Sequence, residues 1–252
     1  MSAYHRPPQG YALDHGQGRC RIGLLALTND YVVERDMMSM RPDDDQVHLF
    51  VARVQFEGEC DPESLAAMAG RLTAATDTIL PGGRLDSVIY SCTSGTATIG
   101  ADKVAQCINA SRPEAACITP ITAAHAAFEA LGMKKIAVLT PYTDEVTATT
   151  VAALEAGGVE AVKVTCLGIE VSDDISAVTP ESIRAAALFA ADEGADGLFI
   201  SCTDFRAAQE IEAIEAATGK PVVTANQATF WQAIHQGGYT QAIPGYGRLL
   251  RQ

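Results

Sequence analysis

Positive charge is scarce in this chain: 18 Lys and Arg stand against 31 Asp and Glu, a formal net charge of −13. A field of that sign repels polyanions, and with no Lys or Arg run to oppose it, nucleic acid is excluded as a favoured partner. The first twenty residues hold no apolar signal-peptide core, and no later run is long enough to span a membrane. We therefore expect a cytoplasmic protein with no membrane partner. The seven cysteines are odd in number and show no C-x-x-C spacing. Free thiols in a reducing compartment fit that pattern better than disulfides or zinc. No His/Cys/Asp cluster has metal-ligand spacing, and no glycine-rich G-x-G-x-x-G or Walker-type loop follows a strand, so neither a metal nor a nucleotide cofactor is expected.

What remains is an ordinary globular composition, 48 % hydrophobic and 19 % charged over 252 residues, enough for one large α/β domain or two lobes. The N-terminal residues 1–19 read as a loosely attached polar arm, with His5 and His15 on it. Beyond it, apolar runs alternate with helix-like stretches. Arg21 to Leu27 is a continuous apolar run, hence a buried strand; His48 to Phe56 alternates and reads as a second strand. Asp61 before Pro62 marks the start of a helix running to Leu80. Strands at Ser87–Ser91, Ala116–Thr119 and Lys135–Thr140 follow, with helices between them.

Three segments recur. Arg21-Ile22-Gly23-Leu24-Leu25 lies over Lys135-Ile136-Ala137-Val138-Leu139 at a shift of 114, and Asp86–Ser94 over Asp196–Asp204 at a shift of 110. Cys117-Ile118-Thr119 lies over Val222-Val223-Thr224 at a shift of 105. Ordered recurrence at a nearly constant offset predicts two similar α/β lobes with parallel sheets, related by pseudo-two-fold symmetry. Residues 20–119 with 221–252 would form one lobe and 120–220 the other. In parallel sheets the site lies at the carboxyl ends of the strands. Thr28-Asn29-Asp30, Cys92-Thr93-Ser94, Pro141-Tyr142-Thr143 and Cys202-Thr203-Asp204 occupy such ends, so the site should lie in the cleft between the lobes.

The duplicated Ser-Cys-Thr tripeptides put a thiol in each lobe. Cysteine is often a small core residue, and that reading suits Cys20, Cys60, Cys107, Cys117 and Cys166. The paired strand-end context sets Cys92 and Cys202 apart. Each is expected just before a helix, where the N-terminal dipole favours a thiolate. A thiolate facing a thiol can take a proton on one face of a substrate and return one on the other, or add to a double bond, without cofactor. Thr93, Ser94 and Thr203 would bind a carboxylate through hydroxyls and backbone amides. His125 reads as a packing residue, and Arg206 as either a carboxylate ligand or a surface group.

Ser91-Cys92-Thr93-Ser94-Gly95, Leu139-Thr140-Pro141-Tyr142-Thr143-Asp144-Glu145-Val146, Ser201-Cys202-Thr203, Phe230-Trp231-Gln232-Ala233 and Pro244-Gly245-Tyr246-Gly247-Arg248-Leu249 together resemble the aspartate/glutamate racemase superfamily. The similarity spans about Arg21 to Leu249. Within the superfamily it is nearest to the branch of maleate cis-trans isomerases, arylmalonate decarboxylases and ectoine-utilisation proteins. The resemblance implies an isomerase or racemase of a small carboxylate, maleate-like or derived from ectoine or an amino acid. In it Cys92 is nucleophile or base, Cys202 the opposing acid, and Asn29 and Tyr142 are carboxylate ligands. It also implies a homodimer or homotetramer.

Three departures separate this chain from neighbouring branches. Thr203-Asp204 stands where glutamate racemases carry Thr-His. Cys92 stands where arylmalonate decarboxylases have glycine, which disfavours one-sided protonation after decarboxylation. Ser172, Asp173 and Asp174 occupy a region where maleate isomerases use an asparagine, and acidic residues there would suit a substrate bearing a cationic group. Besides decarboxylation, the remaining alternative is a non-catalytic carboxylate-binding protein.

Overall fold

A computed structural model describes residues 4, 5, 7–13, 20–56 and 61–252. Its elements run β1 (Cys20–Leu27), α1 (Val33–Met40), β2 (Val47–Val54), α2 (Pro62–Ala67), α3 (Leu72–Asp77), β3 (Ser87–Tyr90), α4 (Thr93–Ile99), α5 (Ala101–Asn109), β4 (Ala116–Ile118) and α6 (Pro120–Leu131). They continue with β5 (Lys135–Thr140), α7 (Asp144–Glu155), β6 (Glu160–Cys166), α8 (Ser172–Ala177), α9 (Pro180–Ala190), β7 (Gly197–Ile200), α10 (Ile211–Thr218), β8 (Val222–Thr224) and α11 (Ala225–Gln236).

Two parallel four-stranded sheets result, ordered β2-β1-β3-β4 and β6-β5-β7-β8. The orders are identical when each strand is matched to its repeat, so the two lobes are similar, as the recurrences predict. The likeness reaches individual hydrogen bonds. Asp86 Oδ2 accepts the Arg21 amide at 2.9 Å, and Asp196 Oδ2 accepts the Lys135 amide at 2.8 Å. Past the strands, the Ser91 amide donates to Leu25 O and the Ser201 amide to Leu139 O, both at 2.9 Å. Capping boxes built on Thr119 and Thr224 start α6 and α11, the two helices that pack against each other.

Each sheet is covered on both faces. In β1, Ile22, Leu24 and Ala26 enter one apolar core while Leu25 and Leu27 enter the other; in β5, Ile136 and Val138 split from Ala137 and Leu139 in the same way. Both cores therefore draw on both sheets. That is why the central strands read as unbroken apolar runs rather than alternating ones.

Four expectations change. The helix from Pro62 to Leu80 is α2, a 3₁₀ turn at Met68–Arg71 and α3, with Gly70 inside the turn. The single helix expected from the turn after Cys92 through Cys107 is two helices, divided at Gly100, whose φ of 89° few other residues adopt. Val222–Thr224 pairs with β7, so these residues complete the second sheet instead of joining the first lobe. Cys166 is half-buried at the end of β6, its thiol donating to Asp144 Oδ1 at 3.2 Å, and is not a core residue. Of the arm, residues 4, 5 and 7–13 carry no helix or strand. The rest of the arm, with His15, and the core assignment of Cys60 lie outside the described residues.

Candidate active site

The carboxyl ends of β1, β3, β5 and β7 meet around one cavity of about 40 Å³. Asn29, Cys92, Thr93, Ser94, Tyr142, Cys202 and Thr203 all line it, so every site residue expected from the sequence reaches the same space. Leu27, Phe56, Leu65 and Ile175 form its apolar walls. A larger acidic cleft, about 520 Å³, is lined by Asp61, Asp144, Glu145 and Glu170 among others and reaches neither thiol of the pair.

Cys92 ends β3 in extended backbone and caps α4, its sulfur accepting the Gly95 amide at 3.2 Å. Ser94 Oγ lies 3.7 Å away. The Tyr90 hydroxyl, which donates toward Met68 Sδ at 3.5 Å, also lies against the sulfur. Burial and the neighbouring cysteine push the Tyr90 phenol well above its ordinary range, so it stays a donor. Gly95 makes this packing possible: a Cβ there would stand 2.5 Å from Tyr90 Oη and 2.8 Å from Cys92 Sγ. One amide donor and two hydroxyls lie around this buried thiol.

Cys202 is different. Its φ is +87°, and no helix starts after it; the chain turns and reaches a 3₁₀ segment only at Ala208–Glu210. The expected helix N-terminus is absent here, and Asp204-Phe205 stands where the first strand end has Ser94-Gly95. Desolvation, followed by the Asp204 carboxyl, raises the Cys202 thiol well above its ordinary value; the Tyr142 hydroxyl and the Asp204 amide oppose this only in part. This thiol holds its proton.

Around the pair, the expected ligands divide by what their polar atoms already do. Thr93 Oγ1 is buried and has no hydrogen-bond partner among the described residues. Tyr142 is buried, its hydroxyl accepting from Ser201 Oγ at 3.3 Å. Asn29 Nδ2 donates to Ser172 Oγ and Asp173 Oδ1, both at 3.3 Å, which fastens α8 over the cavity. Thr203 donates to the Ser91 carbonyl at 3.2 Å, joining the two cysteine-bearing strand ends. Asp174 is exposed. Arg206 donates to Val178 O and Ala177 O, so it holds the end of α8 and does not line the cavity. His125 packs between Leu154 O, at 2.9 Å, and Phe128, a packing residue as expected.

The parts that three further residues play were not legible in the sequence. Tyr90 reads as one more apolar strand residue. Asp30 reads as part of a strand end facing the cleft, and the structure buries it on the cavity beside Asp204. Asn226, at the start of α11, donates to Asp36 Oδ2 at 3.0 Å and to Thr203 O at 2.8 Å. The capping signature that begins α11 is readable, but not the inward reach of its third residue.

Two parallel-sheet lobes closing on a pair of strand-end cysteines define a racemase-like fold of the aspartate/glutamate type. Within that class, the family model for arylmalonate decarboxylase matches residues 101–250, and the chain belongs to that family. The matched region contains Cys202 but not Cys92. Arylmalonate decarboxylase of Bordetella bronchiseptica is 32 % identical over 140 residues, covering 53 % of this chain and 57 % of that protein. The maleate isomerase of Nocardia farcinica is 25 % identical over 242 residues, covering 92 % and 96 %. A solved structure of the Nocardia farcinica maleate cis-trans isomerase, a cysteine-to-serine mutant with a covalently bound succinylcysteine intermediate, superposes with TM-score 0.83 at 24 % identity over 92 % of this chain and 98 % of that one. Among the described residues, no helix is long and apolar enough to cross a membrane.

Proposed function

We propose that this chain is a cofactor-independent isomerase or racemase of a small carboxylate, with Cys92 as nucleophile or base and Cys202 as acid. The observation that carries the reading is the contrast between two thiols on one cavity, one among donors and the other beside carboxyls. Donors stabilise a thiolate and carboxyls stabilise a thiol, so the pair starts in the state that two-sided proton transfer needs.

In racemisation, the Cys92 thiolate takes the proton from the substrate's α-carbon, the electron pair moves onto the carboxylate, and Cys202 delivers its own proton to the opposite face. In cis-trans isomerisation, a Cys92 S–C bond forms as the π pair moves to the neighbouring carbon, which takes the Cys202 proton. Rotation about the new single bond, return of that proton and loss of sulfur restore the double bond in the other geometry. Thr93, Ser94 and Tyr142 supply the donors for the charge that develops on the carboxylate, preorganised by burial. Thr203 contributes as the joint between the strand ends.

Decarboxylation is the second reading, supported by the family match over 101–250 and by the 32 % identity to a decarboxylase. It requires only Cys202. A proton NMR screen in deuterated water over maleate, aspartate-type acids, ectoine derivatives and arylmalonates separates the readings. Deuterium incorporation or geometric change without carbon dioxide release supports the isomerase; carbon dioxide release that survives Cys92→Ala supports the decarboxylase. Size-exclusion chromatography with light scattering reads the dimer or tetramer that belongs to the same proposal.

A further inference from the structure

Behind Cys202 stand two carboxyl groups that neither racemisation nor addition uses to carry a proton. Asp30 comes from the end of β1 in the first lobe and Asp204 from beyond β7 in the second, and both line the cavity. Asp30 is 5 % exposed and Asp204 9 %. Asp30 Oδ1 accepts the Val32 and Val33 amides, each at 2.8 Å, and so begins α1. Asp204 Oδ1 accepts the Tyr31 amide at 2.8 Å, on the same turn. Among the described residues Asp30 Oδ2 is buried with no hydrogen-bond partner, and Thr203 and Asp204 are the side chains that act on this carboxyl.

No Lys or Arg is among the residues lining this cavity. The groups facing the pair from the packed elements do not neutralise it either. On α1, Asp36 is tied to Arg35 at 3.1 Å and Glu34 to Arg53 at 2.6 Å, while Arg53 spends another nitrogen on the Asp30 main-chain carbonyl at 2.8 Å. On α8, Asp173 adds a further carboxyl toward Asp204; beside it stand the Cys202 thiol and the Tyr142 hydroxyl. Two fully charged carboxylates here would meet an anionic substrate with nothing to offset them.

We propose that Asp30 and Asp204 are a positioning and specificity pair that holds one proton between the lobes, so that the wall behind Cys202 carries a single negative charge while a carboxylate substrate is bound. This rests on the carboxylate reading of the site. The proton stays with the pair throughout; it satisfies Asp30 Oδ2 and is not delivered to substrate. Desolvation, then the charge of Asp30, pushes Asp204 up to about 8, which agrees with a proton retained at neutral pH. Above that value the pair carries two charges.

Two measurements test the pair. Infrared titration of the wild-type protein should show a protonated-carboxyl band at pH 6–7 that disappears around pH 8 and is missing from Asp204→Asn. That substitution keeps an oxygen for the Tyr31 amide and places an N–H toward Asp30, whereas Asp30→Asn would weaken the start of α1. For a turned-over carboxylate, KM should rise about tenfold per pH unit above the break while kcat changes little. In Asp204→Asn, KM should stay flat across the same range. Absence of the protonated band in the wild type, or an unchanged KM break in Asp204→Asn, overturns the proposal. If no carboxylate is turned over, the functional reading fails while the infrared titration still decides whether the proton is shared.

Discussion

β3 and β7 hold equivalent places in their sheets and end in the same Ser-Cys-Thr, yet the chain leaves the two cysteines in different directions. After Cys92 it enters α4 directly; after Cys202, at φ +87°, it makes a turn. The residues just downstream differ too, where the shift of 110 sets Ser94 over Asp204 and Gly95 over Phe205. Glycine leaves room for Tyr90 and an amide to meet the first sulfur, and a buried Phe with a carboxyl fills the second position. A duplicated strand end thus gives two thiols at one cavity with unlike neighbours, hydrogen-bonding groups at one and carboxyls at the other.

Removing either thiol breaks the comparison most severely. Cys92→Ala and Cys202→Ala should each lower turnover by about 10³-fold or more while leaving the circular dichroism spectrum unchanged. If only Cys202→Ala is inactive, the two ends are not partners and one-sided protonation takes over. Gly95→Ala is the next largest effect. It forces Tyr90 and the Cys92 sulfur apart, and a displacement of that kind costs about 10²-fold in kcat. A thermal melt should fall by several degrees as well, since Tyr90 and Met68 are fully buried.

Thr93→Val tests the donor side more finely. KM for the carboxylate should rise about tenfold, with stability unchanged or slightly higher, because an unpaired buried hydroxyl is removed. Asp204 is read on stability instead of turnover. Its folded-state pKa, about 8, lies above its ordinary value, so the folded form retains a proton that the unfolded chain has already lost. The contribution is therefore complete at pH below about 4 and is lost as pH rises to about 8. Urea unfolding at pH 5, 7 and 9 should show that decline in the wild type and a flatter profile in Asp204→Asn.

The fold was legible because parallel strands buried on both faces leave unbroken apolar runs, and because duplication repeats them in order. The site was legible as far as strand ends announce it: Asn29, Cys92, Thr93, Ser94, Tyr142, Cys202 and Thr203 converge. What the sequence withheld depends on three-dimensional approach between segments far apart in the chain. Asp30 meets Asp204 across the cleft, Asn226 reaches back to Asp36, and Arg206 turns to the end of α8. No local pattern encodes those meetings. The helix expected after Cys202 is absent because that residue takes φ +87°, a backbone turn that its Ser-Cys-Thr context does not announce.

Cys20 and Cys117 provide internal controls, since burial raises both thiols to about 12 and should keep them unreactive. Against them, alkylation with iodoacetamide across pH 5–10, resolved by peptide mass spectrometry, compares the two strand ends directly. Cys92 is the more buried of the pair, so exposure alone would favour Cys202. We predict the reverse order in pH: Cys92 is modified at lower pH than Cys202, which stays a thiol until well above neutrality. Coincident midpoints, or Cys202 titrating first, would contradict the assignment of thiolate and thiol.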